Sequence, residues 1–241
     1  MLIAFWSAKG GTGTSVFTAA CALVLARDAR DGGSPSGVRV ADLAGDQPAI
    51  FGLGADPDLG LTDWLRAGLE APTEALDRLL VEVAPGVGLI PSGNTNRSAS
   101  LSAPEAGAAL AVALGQSASP TLVDCGTARD PAALAVVEVA DVAVVVVRGC
   151  YLGLRRAVHS PAMAHTAAAV LVEEPGRSLS APEISDVLDV PVIVRFPMNS
   201  KIARAVDAGV LPTRLPEPLA RAASSLVRRI APRARRRGAA A

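Results

Sequence analysis

The feature that most constrains this chain lies near its start, the stretch Ser7-Ala8-Lys9-Gly10-Gly11-Thr12-Gly13-Thr14-Ser15, set between the short apolar run 2–6 and the apolar, Ala-rich run 16–26. A strand, a glycine-rich turn and a helix in that order gather backbone N–H groups and a helix N-terminus around one small volume, which suits a phosphate. The loop's single cation is Lys9. Only Lys9 and Lys201 are lysines among 23 basic residues, so a lysine inside the glycine loop is not a product of composition.

Beyond the loop the chain alternates between short apolar runs and helical patterns. The run 16–26 could serve as the apolar core of a secretion signal, but a glycine loop precedes it and Arg27, Asp28, Arg30 and Asp31 come directly after, so it reads as a helix. Residues 28–37 form a polar surface loop, 38–43 a strand carrying Asp42, and Asp46-Gln47-Pro48 opens a short helical stretch. Helices are expected at 61–67, 73–81, 103–114, 131–139, 152–167 and 181–188, the fifth of these broken or kinked at Pro161. Further strands are expected at 87–90, 121–124, 142–147, 168–172 and 190–196, and a mobile polar loop at 94–102. This pattern predicts a three-layer α/β domain with a mainly parallel sheet of about seven strands buried on both faces.

The last helix is the most regular element, with Leu219, Ala222, Ala223, Leu226, Val227 and Ile230 on one face. Pro232 is expected to end it, giving a domain over 1–231 and a basic flexible tail over 232–241. Charge is balanced overall but not along the chain: residues 1–120 carry 7 basic and 12 acidic side chains, residues 121–241 carry 16 and 11. Arg228, Arg229, Arg233, Arg235, Arg236 and Arg237 concentrate the excess and could meet anionic lipid or DNA phosphate. Cys21, Cys125 and Cys150 are widely spaced and odd in number, which argues against a disulfide framework or a paired CxxC site and makes a reducing, cytoplasmic compartment the default.

Four features together resemble the deviant-Walker P-loop ATPases of the ParA/MinD superfamily, and the resemblance spans nearly the whole chain. The family's loop reads KGGxGK[ST]; here it is Lys9-Gly10-Gly11-Thr12-Gly13-Thr14-Ser15. The resemblance makes Lys9 the signature lysine that reaches a partner subunit's phosphates, and Ser15 a magnesium-binding hydroxyl. Thr14 stands where the P-loop lysine belongs. The family's strand ending in Asp-x-Asp is matched by Asp42, with Ala44 at the second position and Asp46 two residues on. An apolar strand ending at Asp124 resembles Walker B, whose aspartate holds magnesium through a water. The segments 140–156 and 190–211 resemble the family's later strand, helix and closing elements. Glu173 and Glu174 occupy the place of the family's adenine-reading Asn.

The resemblance implies ATP and magnesium as cofactors, held by residues 10–15 with Lys9 and by Ser15 with Asp124, and acidic residues Asp42 and Asp46 near an attacking water. It also implies a homodimer that recruits a protein partner in positioning, cell division or chromosome partitioning, peripheral at membrane, pole or nucleoid. Size, Thr14 and the final segment are closest in character to the CpaE/TadZ branch. Two losses, the Thr14 charge and the Ala44 carboxylate, predict weak or absent hydrolysis, since removing such electrostatics costs on the order of a hundredfold each. The alternatives are a working ATPase switch, in which Lys9 and Asp46 compensate, and a scaffold that binds no nucleotide.

Overall fold

The computed structural model describes residues 1–32, 37–93 and 103–238, with 231–238 described by backbone alone. The expected loop at 94–102 lies outside the described residues. In chain order the elements are β1 (Leu2–Trp6), α1 (Thr14–Asp31), β2 (Val38–Asp42), α2 (Gln47–Ile50), α3 (Leu61–Ala67), α4 (Ala75–Arg78), β3 (Val81–Ala84), β4 (Val87–Ile90), α5 (Pro104–Gly115) and β5 (Thr121–Asp124). The second half adds α6 (Pro131–Val139), β6 (Val142–Arg148), α7 (Tyr151–Val158), β7 (Thr166–Glu173), α8 (Ala181–Leu188), β8 (Val192–Pro197), α9 (Ser200–Asp207) and α10 (Glu217–Gly238).

The strands form one sheet in the order β3-β4-β2-β5-β1-β6-β7-β8, parallel except for β3 against β4. All five residues of β1 are buried, and alternation along the strand divides them between two cores. Ile3 and Phe5 join the core under α1 and α10, with Phe17, Ala223, Leu226 and Ile230. Leu2, Ala4 and Trp6 join the opposite core, with Trp64, Leu110, Val136 and Ile184 from α3, α5, α6 and α8. Helices therefore cover both faces, as the continuous apolar strands require.

Two contacts seat α1 on the sheet. Phe17 meets Phe5 edge-on, with ring centroids 6.1 Å apart, and stacks on Phe196 of β8 at 5.2 Å. On the other face Trp6 buries its indole and donates Nε1–H to Thr166 Oγ1 at 2.9 Å, while that hydroxyl donates to Ala162 O at 2.8 Å, so the polar end of the ring is satisfied. No helix among the described residues is long and apolar enough to cross a membrane.

The structure corrects the sequence reading at three places. The sheet has eight strands, the additional one being β3, inside and beyond the helix expected at 73–81; only Ala75–Arg78 is helical there. Val81 and Val83 are half-buried, Glu82 exposed and Ala84 buried past a register shift, and Pro85-Gly86, with Gly86 at φ 76°, turns the chain back into β4. The helix expected at 152–167 stops at Val158; a 3-10 turn, Pro161–His165, comes next and β7 begins at Thr166. The last helix does not end at Pro232 but stays helical to Gly238, although Pro232 has no amide to give the Arg228 carbonyl.

Candidate functional site

The carboxyl ends of β1, β2, β5 and β6 open onto a cleft of about 1040 Å³, lined on one wall by the glycine loop, on another by Leu43, Ala44 and Asp46, and closed by Thr127–Asp130 and Val206–Gly209. The sheet order produces this convergence. β1 is central between β5 and β6, and Asp42 and Asp124 stand directly opposite each other in the β2–β5 register. Crevices at the carboxyl edge of a parallel sheet are where such folds hold ligands.

The loop is shaped for an anion. Gly11 and Gly13 have φ of 74° and 92°, and Gly13 ends the loop as the left-handed N-cap of α1 without a side-chain cap. Among the described residues no N–H of residues 10–16 has a hydrogen-bond partner; the first amide to be paired is that of Phe17, to Gly13 O at 2.9 Å. A Cβ at Gly10 or Gly11 would meet nothing within 4 Å. Residues 10–16 all line the cleft, and α1 begins there with the positive end of its dipole.

Ser15, Asp42, Asp46 and Asp124 come together at one end of this cleft. Ser15 Oγ donates to Asp46 Oδ2 at 3.3 Å; burial raises the Asp124 carboxyl above its ordinary range, and hydrogen bonding from Ser15 and Gln47 offsets only part of that. Asp124 Oδ1 accepts Gly126 N–H at 3.1 Å and its Oδ2 accepts Gln47 Nε2–H at 2.8 Å. Asp46 is exposed at the mouth of the cleft, where the sequence has no carboxylate at Ala44. Asp42 is in a different situation. It is fully buried and accepts three backbone N–H groups, from Ala44 at 3.0 Å, Gly45 at 2.5 Å and Gln47 at 3.1 Å, so it organises the turn that carries Asp46 and Gln47. Burial and then the neighbouring Asp124 push its carboxyl up to about 7, against the pull of those amides.

Thr14 is buried and its hydroxyl pairs with that of Thr12 at 2.9 Å, so it turns into the loop's own structure. Lys9 is exposed, and among the described residues its ammonium makes no hydrogen bond or ion pair. It lies beside Cys150 and Arg177 at the edge where α7 begins with exposed Tyr151 and Leu152.

Two residues at the site belong to no motif in the sequence. Gln47 is fully buried and spans Asp124 and Ser15 O, donating Nε2–H to the latter at 3.0 Å. Arg148, the last residue of β6, lines the cleft beside the loop. Among the described residues, Gln47 Oε1 and Arg148 Nε are the two buried side-chain polar atoms without a hydrogen-bond partner. Both belong to this one site, and orphaned buried polar atoms are costly enough to mark a place built for something further. At the far bank Gly52, just past α2, lies against Gly209; a Cβ on Gly52 would fall 2.1 Å from Gly209 O.

Among the described residues no group of three His, Cys, Asp or Glu side chains is arranged to hold a metal alone. One hydroxyl and one carboxylate beside a phosphate cradle instead suit magnesium, which keeps waters and takes phosphate oxygens as ligands. The donor set at Ser15 and Asp124 fits that demand, and the uncapped amides of residues 10–16 fit the phosphates.

No protein-family model matches the chain, and no curated protein matches it. Solved structures do. A ParA family ATPase from Chlorobium tepidum is 21% identical with a TM-score of 0.72, covering 93% of this chain and 97% of that one. MinD from Aquifex aeolicus, in a complex with MinC, is 21% identical with a TM-score of 0.71 over 95% of this chain and 94% of the other. MinD from Pyrococcus horikoshii, complexed with Mg-ADP, is 19% identical with a TM-score of 0.72 over 95% of both. The likeness is one of fold, and the chain has the P-loop fold of the ParA/MinD ATPases.

Proposed function

We propose that this chain binds ATP with magnesium in the cleft over the glycine loop, dimerises through the edge bearing Lys9, and so recruits a protein partner, with weak or absent hydrolysis. The observation that carries the reading is the run of partnerless N–H groups at residues 10–16, which line a cleft of nucleotide size. Ser15 and Asp124 would hold the metal, which when bound neutralises phosphate charge. The apolar end of the cleft region, at Val16, Phe196, Pro197 and Ile202, offers a surface for the base. The MinD neighbours in complex with Mg-ADP and with MinC support the ligand and the partner by analogy of fold.

The low expected turnover comes from Thr14, which is committed to Thr12, and from Ala44. In this reading residues 1–231 form the nucleotide domain, and the arginines from Arg228 to Arg237 give it a contact with an anionic surface, DNA or membrane. The functional type that fits these features is the localising CpaE/TadZ branch of the superfamily. A second reading, an active partitioning or division switch, is favoured by one observation: Asp46 stands 3.3 Å from the Ser15 hydroxyl and supplies a carboxylate where Ala44 has none.

Titration with Mg-ATP read by calorimetry, light scattering and phosphate release separates these. Binding and dimerisation with negligible release is the expected result. Sustained release would favour the switch, and absence of binding would leave the fold as a nucleotide-free scaffold.

A further inference from the structure

A loop that cradles phosphates without its lysine is one cation short of its own at the terminal phosphate, because Thr14 is uncharged and its hydroxyl is turned to Thr12. We infer that Arg148 supplies that missing cation, reaching the polyphosphate of a nucleoside di- or triphosphate from the end of β6 rather than from within the loop. The inference rests on the nucleotide reading above and assigns it a residue.

Three observations place Arg148 there. First, β6 runs beside β1, with Val145 opposite Trp6, so three residues further on it lies alongside the start of the loop. Its partner in β7 is Val172, and the Cγ2 of Val172 is the atom a Cβ on Gly13 would approach, at 4.0 Å. Loop and Arg148 thus sit over the same pair of strands. Secondly, Arg148 lines the cleft together with residues 10–14, half-buried, with its Nε shut off from solvent and without a partner. A guanidinium cannot lose its proton to relieve this, so an unpaired buried N–H on it is a standing cost that an anion would remove. Thirdly, the neighbouring carboxylates are already engaged. Glu174 pairs with Arg177 at 2.8 Å and Glu173 with Arg195 at 3.5 Å, so Arg148 makes no direct ion pair among the described residues and acts on Glu174 only through space. Arg129 also borders the cleft, but it is exposed and solvated, whereas Arg148 is held in place by the strand. Arginine is suited to the role because its planar fork matches two phosphate oxygens at once.

The test is calorimetric titration of the whole chain with Mg-ATP, using Arg148→Met, which keeps the apolar stem, Arg148→Lys, Arg129→Ala, and Thr14→Lys combined with Arg148→Met. Charge-assisted contacts of this kind are worth on the order of ten- to hundredfold in affinity. Arg148→Met should lose that much, Arg148→Lys should recover part of it, and Arg129→Ala should stay within about threefold. Returning a lysine to the loop in the double variant should restore binding, an outcome that a merely structural role for Arg148 would not produce. Unchanged binding by Arg148→Met, or a double variant as weak as Arg148→Met with an unaltered melting temperature, overturns the assignment while leaving nucleotide binding intact. Failure of the unaltered chain to bind Mg-ATP would overturn both.

Discussion

Asp42 is a buried carboxyl of the site, and its behaviour with pH is set by where it lies. Its carboxyl is held at about 7 in the fold, mainly by burial and next by Asp124, against 3.8 when free. Between those values the folded chain binds the proton that the unfolded chain releases. The stabilisation is therefore complete below about pH 4 and is lost as pH rises through 7. In the absence of nucleotide, the urea midpoint should fall from pH 5 to pH 8, and Asp42→Asn, which retains an acceptor oxygen for the turn, should flatten that slope. Some slope should remain, because burial also raises Asp124. A variant as pH-dependent as the parent would show that another group controls it. At this scale Ser15, Asp42 and Asp124 could be found in the sequence, since each closes a strand or opens a helix at a motif position. Gln47 and Arg148 could not. Gln47 matters only because the Asp42 turn folds it back onto Asp124, and Arg148 looks like the solvated end of an apolar strand until the loop is seen beside it.

Among the elements, α1 couples the core to the ligand site. Phe17 stacks on Phe196 one turn below Gly13, so the apolar contact that anchors the helix also fixes where its N-terminus points. Phe17→Ala should cost about 3–5 kcal/mol, on the scale of large core truncations. In a chain of this size that lowers Tm by on the order of 10 °C. Leu226→Ala, in the same core on α10, should also destabilise, yet only Phe17→Ala should weaken Mg-ATP binding beyond its effect on folding; equal losses in the two variants would argue that α1 is not specially seated by the stack. Strands buried on both faces were legible as apolar runs, and so were the helices between them. β3 was not, because four residues at a sheet edge bury too little to outweigh a helical pattern just before them. The helix after β6 reads too long in the sequence because Ala-rich residues continue smoothly through a 3-10 turn and into β7.

For the molecule as a whole, the fold class could be read from the alternation of strands and helices, but the assembly could not, because a single chain does not contain its own partner. Lys9 is the bridge between these levels. It is exposed, without a hydrogen bond or ion pair among the described residues, and beside Cys150, which precedes the 75% exposed Tyr151. If the edge it occupies is the dimer face, Lys9→Ala should bind Mg-ATP within a few-fold of the parent but remain monomeric by light scattering at ATP concentrations that dimerise the parent. A dimer that persists in Lys9→Ala would move the interface elsewhere.

The contact between Gly52 and Gly209 bears on how a ligand would enter. Both residues have positive φ, 77° and 64°, and no side chain separates their backbones, so the two banks of the cleft come into direct backbone contact at that point. A side chain at either position would force the banks apart, so the width of the cleft depends on both residues being glycine.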